Sequence, residues 1–333
     1  MSVAIEQGVR PTSADSQARR ERIAAVLQSY GAAVALVILL IVGSFAFPTF
    51  LSFGNFSNIL TQSSFPLIVA IGMTFVILTG GIDLSVGSVF ALGGVLAAEG
   101  SSFGVVGAFV LPLVVCGVIG LLQGLLVAYA KMASFIVTLA GLLAVRGLVL
   151  AITSGGATTP LIKNVAFTAI GQNGMFGIHW TVVIALVGVI LGTVALTRTR
   201  AGQSIFAVGG SESASTFMGL PVARVKLSVY IVSGLCAGLA GALNAGYSSS
   251  GVPTVGVGLE LSAISAVVIG GTLLVGGRGS VAGTLAGVLL LSVIQNMINQ
   301  VGSLNSSVQA VVSGVFLAIV VVIQTVLSRS QRL

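Results

Sequence analysis

Carboxylates are scarce in this sequence, and their positions narrow the chemistry at once. Of seven acidic residues in 333, only Asp83, Glu99 and Glu260 lie near the long apolar stretches, each at a segment end. Ionisable side chains inside a membrane are the usual parts of proton relays and ion paths. Their absence from segment interiors argues against a proton pump or symporter, although backbone carbonyls can hold sodium. Arg146 is the exception among charges, about twelve residues into an apolar run, or roughly 18 Å along a helix. A cation at that depth is costly unless it faces a bundle interior or reaches outward. His179 is the only histidine, and Cys116 and Cys236 lie within apolar runs. A histidine- or thiolate-based metal site has almost no ligands to draw on. Buried thiols are expected rather than a disulfide. No G-x-x-x-x-G-K-[ST] loop occurs, so any use of ATP hydrolysis needs another chain.

The elements that carry these residues belong in lipid. Hydrophobic residues make up 56% of the chain and charged residues 6%, against about 25% charged in a soluble domain. Lipid leaves helix bundles or closed barrels as spanning folds. Barrel strands alternate polar with apolar, whereas stretches such as 310–323 are apolar on every side. The expected fold is all-α, a polytopic membrane bundle of about ten transmembrane helices. They are drawn at 24–46, 57–79, 85–99, 105–130, 134–153, 179–197, 227–248, 261–275, 281–301 and 307–328. The first is too long for a signal peptide and reads as an uncleaved helix. With the N-terminus inside, Lys131, Arg198, Arg200, Arg224, Lys226, Arg278, Arg329 and Arg332 all fall on the cytoplasmic side and only Lys163 outside, as the positive-inside rule asks. That accounts for the net charge of +7 without nucleic acid. The layout makes 1–23 and 329–333 cytoplasmic tails and 24–328 the membrane domain. Its loop 198–226 faces the cytoplasm, and 154–178 faces outward.

Two stretches hold most of the local signal. In "LTGGIDLSVGS" (78–88), Gly80 and Gly81 let a helix end in left-handed geometry. Asp83 is a good N-cap for a helix starting at Leu84, its carboxylate receiving the amides of Ser85 or Val86. The next segment, 85–99, barely crosses roughly 30 Å of hydrocarbon. The junction is therefore expected below the membrane surface, with Asp83 pinning a helix break. In "TRTRAGQSIFAVGGSESASTFMGLPVARVK" (197–226), Ser211 can cap a helix of about two turns and Glu212 stands in its first turn. Gly219 can close it and Pro221 cannot continue it. Docking on a partner and a plain amphipathic turn are equally open readings of these residues. Gly234, Gly238, Ala242 and Gly246 form one row of small residues, with Ala237, Gly241 and Ala245 beside it. Such rows let helices approach closely, and internal packing is favoured over a dimer seam. "IGMTFVILTGGIDLSVGS" and "VVIGGTLLVGGRGSVAGT" echo each other too weakly to define a repeat.

The stretch "IGMTFVILTGGIDLSVGSVFALGG" (71–94) resembles the signature of the monosaccharide permeases of binding-protein-dependent ABC importers, the ribose, xylose, arabinose and galactose type. So do "SFIVTLAGLLAVRG" (134–147), "AVGGSESASTFMGLPVARVK" (207–226) and "GVGLELSAISAVVIGGTLLVGGRGSVAGTLAGVLLL" (256–291). Among subgroups the chain looks nearest the galactofuranose permease pair. The resemblance implies a non-catalytic, multi-pass permease subunit of the cell inner membrane that passes a monosaccharide inward. It implies as partners an ABC ATPase, often a tandem chain, a secreted or periplasmic sugar-binding protein, and a second permease copy or a sister permease. ATP and Mg would sit on the ATPase, leaving this chain without a cofactor. Coupling to the ATPase would run through the 205–221 loop, at Ser211, Glu212, Ala214, Phe217, Met218 and Gly219. Gly80, Gly81, Asp83 and Ser85 would form a helix break at the cytoplasmic gate.

Candidates for the sugar path are Asn58, Gln62, Gln123, Arg146, Asn244, Glu260, Gln295, Asn296 and Asn299. For Arg146, a buried structural pair with a carbonyl or carboxylate is weighed ahead of sugar contact. For Asn and Gln, interhelical hydrogen bonds are as good a reading as pore lining. Two positions depart from the family pattern. Ser211 stands where Asn is common, and Ser262 where Asp is common. The competing reading is an ion-coupled secondary transporter that works without an ATPase.

Overall fold

The structure is a computed structural model that describes residues 31–301 together with 311, 314 and 315. The expected tails 1–23 and 329–333 and nearly all of the tenth segment, 307–328, fall outside the described residues. Within them the chain is mostly helical: α1 (Gly31–Ala46), α2 (Phe53–Leu78), α3 (Val86–Gly100), α4 (Gly104–Ala128), α5 (Ser134–Ile152), α6 (Val165–Gln172), α7 (Trp180–Arg198), α8 (Arg200–Gly210), α9 (Glu212–Phe217), α10 (Val222–Ser248), α11 (Leu259–Ile269) and α12 (Val281–Val301).

Among the described residues, six helical stretches are long and apolar enough to cross a membrane. One of them, Val86–Ala128, is two helices folded back on each other. Gly104 turns the chain at φ +87°, Gly100 packs on Gly107, and the Cys116 thiol meets the Val89 carbonyl at 3.6 Å. The result is a polytopic helix bundle.

The bundle is organised around α10. Its small-residue rows are used inside the molecule, as expected. Gly234 and Gly238 press on α4 at Cys116, Gly120 and Pro112, and Gly241 and Ala245 press on α3 at Phe90 and Gly94. A side chain at Gly234 or Gly241 would overlap a neighbouring carbonyl, so these contacts depend on bare backbone. In consequence α3 is buried along nearly its whole length, with Val86, Val89, Ala91, Leu92 and Val95 at 1% exposure or less.

Several expected boundaries are corrected. The segment drawn at 261–275 is helical only over Leu259–Ile269. At about 1.5 Å per residue it cannot cross the hydrocarbon as a helix. A stretch of turns leads into it: Gly251 lies against α3 at Gly94 and Val95, and Gly256 lies against Gly87. The 154–178 loop contains α6 and a two-stranded hairpin pairing Gly174–Met175 with Ile178–His179. The stretch before Ser211, expected as loop, is helix α8. Thr199 caps it by accepting the Gly202 amide at 3.1 Å.

Candidate functional site

The break between α2 and α3 starts from glycine. Gly80 stands at φ +78°; its amide donates to the Ile77 carbonyl at 2.8 Å and the Gly81 amide to Val76 at 3.2 Å. That pair of bonds is a Schellman closure, which satisfies the last carbonyls of a helix. The chain then turns back into the bundle. Ile82 is held by α5, its amide donating to Ser134 Oγ at 3.3 Å and its carbonyl accepting from Thr138 Oγ1 at 3.2 Å.

Asp83 follows and is 1% exposed. Its Oδ1 accepts from the Ser85 amide at 2.9 Å and the Ser85 hydroxyl at 2.6 Å, and its Oδ2 accepts from Ser233 Oγ of α10 at 2.7 Å. Three donors offset the cost of burying a carboxylate. Gln123 of α4 joins the cluster, its Oε1 3.2 Å from Ser85 Oγ. The Ser233 Cα lies against Gly72, six residues before the end of α2.

The local details differ from the sequence expectation. Ser85, not Asp83, is the N-cap residue, and α3 begins at Val86. Asp83 receives the Ser85 amide only, because its second oxygen is committed to α10. Ser233 was missed in the sequence; its one signal was a hydroxyl just before the small-residue rows.

The 211–219 stretch is built by the same local rules on the surface. Ser211 Oγ accepts the Ala214 amide at 3.2 Å and caps α9. Glu212 stands in the first turn, and Lys226 at the start of α10 donates to its Oε2 at 2.7 Å. Gly219, at φ +76°, closes the helix: its amide donates to Thr216 and the Leu220 amide to Ser215, both at 3.0 Å. Ala214 is exposed. Phe217 is 92% exposed and Met218 68%, an apolar tip beyond the bundle.

The path candidates separate into groups. Asn296 is spent on an amide pair with Asn55 of α2, at 2.8 and 3.2 Å, and accepts from Gln300 at 2.9 Å. Gln123 is buried in the Asp83 cluster. Asn58 and Gln62 are exposed one turn apart on α2, and Gln295 and Asn299 one turn apart on α12. Asn244 is half-buried on α10. A cavity of about 110 Å³ lies between α2, α11 and α12, with Pro66, Ser262, Ala266, Leu291 and Gln295 among its lining. Ser262, the departure noted above, therefore faces open space beside Gln295.

Arg146 donates to the carbonyls of Pro253 at 3.1 Å and Val255 at 3.0 Å. It holds the turns that lead into α11. Glu260 lies within its electrostatic reach, accepts the Gly258 amide at 3.2 Å and packs on Gly87 of α3. The buried start of α3 and the partly exposed start of α11 thus each carry a carboxylate where the helix dipole favours an anion.

Comparison with known proteins agrees on one kind of protein. Residues 55–323 match the family described as the branched-chain amino acid transport system permease component. The chain is 40% identical over 310 residues to the ribose import permease protein of Bacillus subtilis, covering 92% of this chain and 96% of that one. Identity to the ribose import permease protein of Escherichia coli strain K12 is 38% over 314 residues, with 92% and 96% covered. The fructose import permease protein of Bifidobacterium longum is 34% identical over 311 residues, with 90% and 91% covered. No solved structure gives a match.

Proposed function

The chain belongs to this permease family, as the membrane subunit of a sugar ABC importer, and on that premise we propose how it works. It carries a monosaccharide inward across the cell inner membrane and is a transport subunit rather than a catalytic one. ATP and Mg are bound by a partner ATPase, which docks on α9. A secreted or periplasmic binding protein delivers the sugar to the opposite face. A second permease, identical or related, completes the path. The full bundle has ten membrane segments with both termini in the cytoplasm, so that α8, α9 and Arg278 lie inside and α6 and the hairpin lie outside. The charge asymmetry of the loops supports this orientation.

The observation that carries the coupling role is the exposed Phe217–Met218 tip on a helix capped at both ends and ion-paired to α10. A six-residue helix has too few turns to persist alone, yet here its ends are fixed and its apolar face is left for a partner. The sugar path follows the exposed amides of α2 and α12 past the Ser262 cavity. Amides at these positions are costly against lipid, which supports their facing water or a second permease. A serine at 262 leaves the lining of that cavity uncharged, suiting a weak, wettable path for a neutral sugar. Asp83 acts in gating by fixing the break, not by touching sugar, since all its short contacts are internal.

The test is reconstitution. The purified chain in liposomes should move no sugar until the ATPase and binding protein are added. Sugar uptake by the chain alone, driven by an ion gradient, would instead establish the secondary-transporter reading.

A further inference from the structure

At the α9 end of the bundle three distant pieces of chain meet as bare backbone. The Gly277 amide, in the turn between α11 and α12, donates to the Leu78 carbonyl at the end of α2, at 3.0 Å. A methyl group on Gly276, at φ +88°, would come within 2.8 Å of the Gly80 nitrogen. One on Gly209, at the end of α8, would overlap the Leu78 carbonyl and lie 2.6 Å from the Gly277 nitrogen. The two glycine pairs of the weak sequence echo, at 80–81 and 276–277, thus stand beside each other, with the end of α8 against them.

Contacts of this kind transmit displacement well. A side chain can change rotamer and absorb a shift, whereas packed main chain moves as a body. Gly209 is two residues from Ser211, the cap of α9. Leu78 opens onto the closure that leads to Asp83. A second link runs in parallel on α10. Lys226, paired with Glu212, and Ser233, bonded to Asp83, are seven residues apart and so share a helix face.

We propose that Gly209, the Leu78 main chain and Gly277 form a backbone clamp that carries movement of α9 to the break at Asp83. They are positioning residues for gating, and neither touches sugar nor ATP. The inference rests on α9 being the coupling helix, and its test separates the two ideas. Hydrogen–deuterium exchange is followed in the parent permease assembled with its ATPase, with and without trapped nucleotide. Residues 78–85 and 273–279 should change protection together with 207–219. If 211–219 responds while 78–85 and 273–279 do not, the clamp is wrong and the coupling reading stands. If 211–219 itself is silent, the coupling reading fails and takes the clamp with it.

Substitution sharpens the result. Gly209→Ala should lower sugar-stimulated ATP hydrolysis about tenfold while ATPase binding is retained, because α9 keeps its own caps. Gly210→Ala should behave as the parent, since a methyl group there meets nothing within 4 Å. Equal coupling in the two variants overturns the clamp. So does loss of ATPase binding in Gly209→Ala, which would mean that Gly209 only holds α9 in place. Should Gly209→Ala fail to accumulate, the exchange experiment on the parent decides.

Discussion

The end of α2 and the end of α9 are closed in the same way and serve opposite ends. Gly80 and Gly219 stand at φ +78° and +76°, each with the paired hydrogen bonds of a Schellman closure. Beyond Gly80 the chain turns inward, and Asp83 is 1% exposed with every short contact internal. At the other closure Phe217 stands 92% exposed with nothing packed over it. Identical local geometry therefore gives a fixed internal joint in one place and an available surface in the other. Burial makes the difference: a polar group without water must find partners in its own chain, whereas an exposed apolar tip is free to find them elsewhere.

The comparison breaks most visibly at Asp83. Asp83→Ala leaves the Ser85 amide and the Ser233 hydroxyl without their acceptor, and each buried unpaired group costs about 1–3 kcal/mol. Uptake of labelled sugar at matched membrane levels should be lost. Asp83→Asn retains acceptor oxygen and should keep much of the transport. The reverse order of the two variants would show that charge, not hydrogen bonding at the break, is what matters there.

Next comes the other closure. Gly219→Pro cannot adopt φ +76° and removes the amide that donates to Thr216. The protein should insert normally yet lose sugar-stimulated ATPase activity in the assembled complex. Full coupling at normal protein levels would rule out α9 as the transmitting helix.

The exposed tip gives a smaller effect. Phe217→Ala should weaken binding of the ATPase by about 1–2 kcal/mol, in the range of an interface anchor, with the thermal stability of the isolated permease unchanged. A titration of ATPase on permease in nanodiscs reads the first, and a melting curve the second. A stability loss without a binding loss would make Phe217 part of the fold rather than of an interface.

The Glu212–Lys226 pair should matter least. Its side chains are 57% and 20% exposed, and exposed pairs contribute about 0–1 kcal/mol. Glu212→Gln should leave coupling near the parent level at physiological salt.

A last measurement fixes which loop faces the cytoplasm and perturbs nothing. Single cysteines at Ser213 and Asn173, both exposed positions, are placed in a background without Cys116 and Cys236. An impermeant thiol reagent on intact cells should label position 173 only. Labelling at 213 alone would invert the proposed topology.

Much of this molecule is legible in its residues, for a local reason. Composition decides the solvent, and lipid then decides the helical fold. Helix ends depend on side chains and dihedrals within five residues, so Ser211, Gly219 and the Gly80–Gly81 closure could be read before any contact was known. The amphipathic helix α8 was also within reach, through Thr199 as cap and Gly202, Ile205 and Val208 on one buried face. It was hidden by its glycines and by the loop-like charge of its start.

What the sequence could not decide is which partner each exposed donor or carbonyl finds. The second acceptor of Asp83 is committed to Ser233, 150 residues away, and Arg146 is committed to carbonyls 107 and 109 residues away. The 261–275 segment stops being helical at Ile269, where Gly270 lies against Gly283 of α12 and Gly271 turns the chain at φ +90°. Gly209 and Gly210 are indistinguishable as neighbours in sequence and both lie beside Gly277, yet only at the first would an added methyl group meet Leu78 and Gly277. A glycine records that the backbone can be approached; only close packing of the whole bundle determines what approaches it.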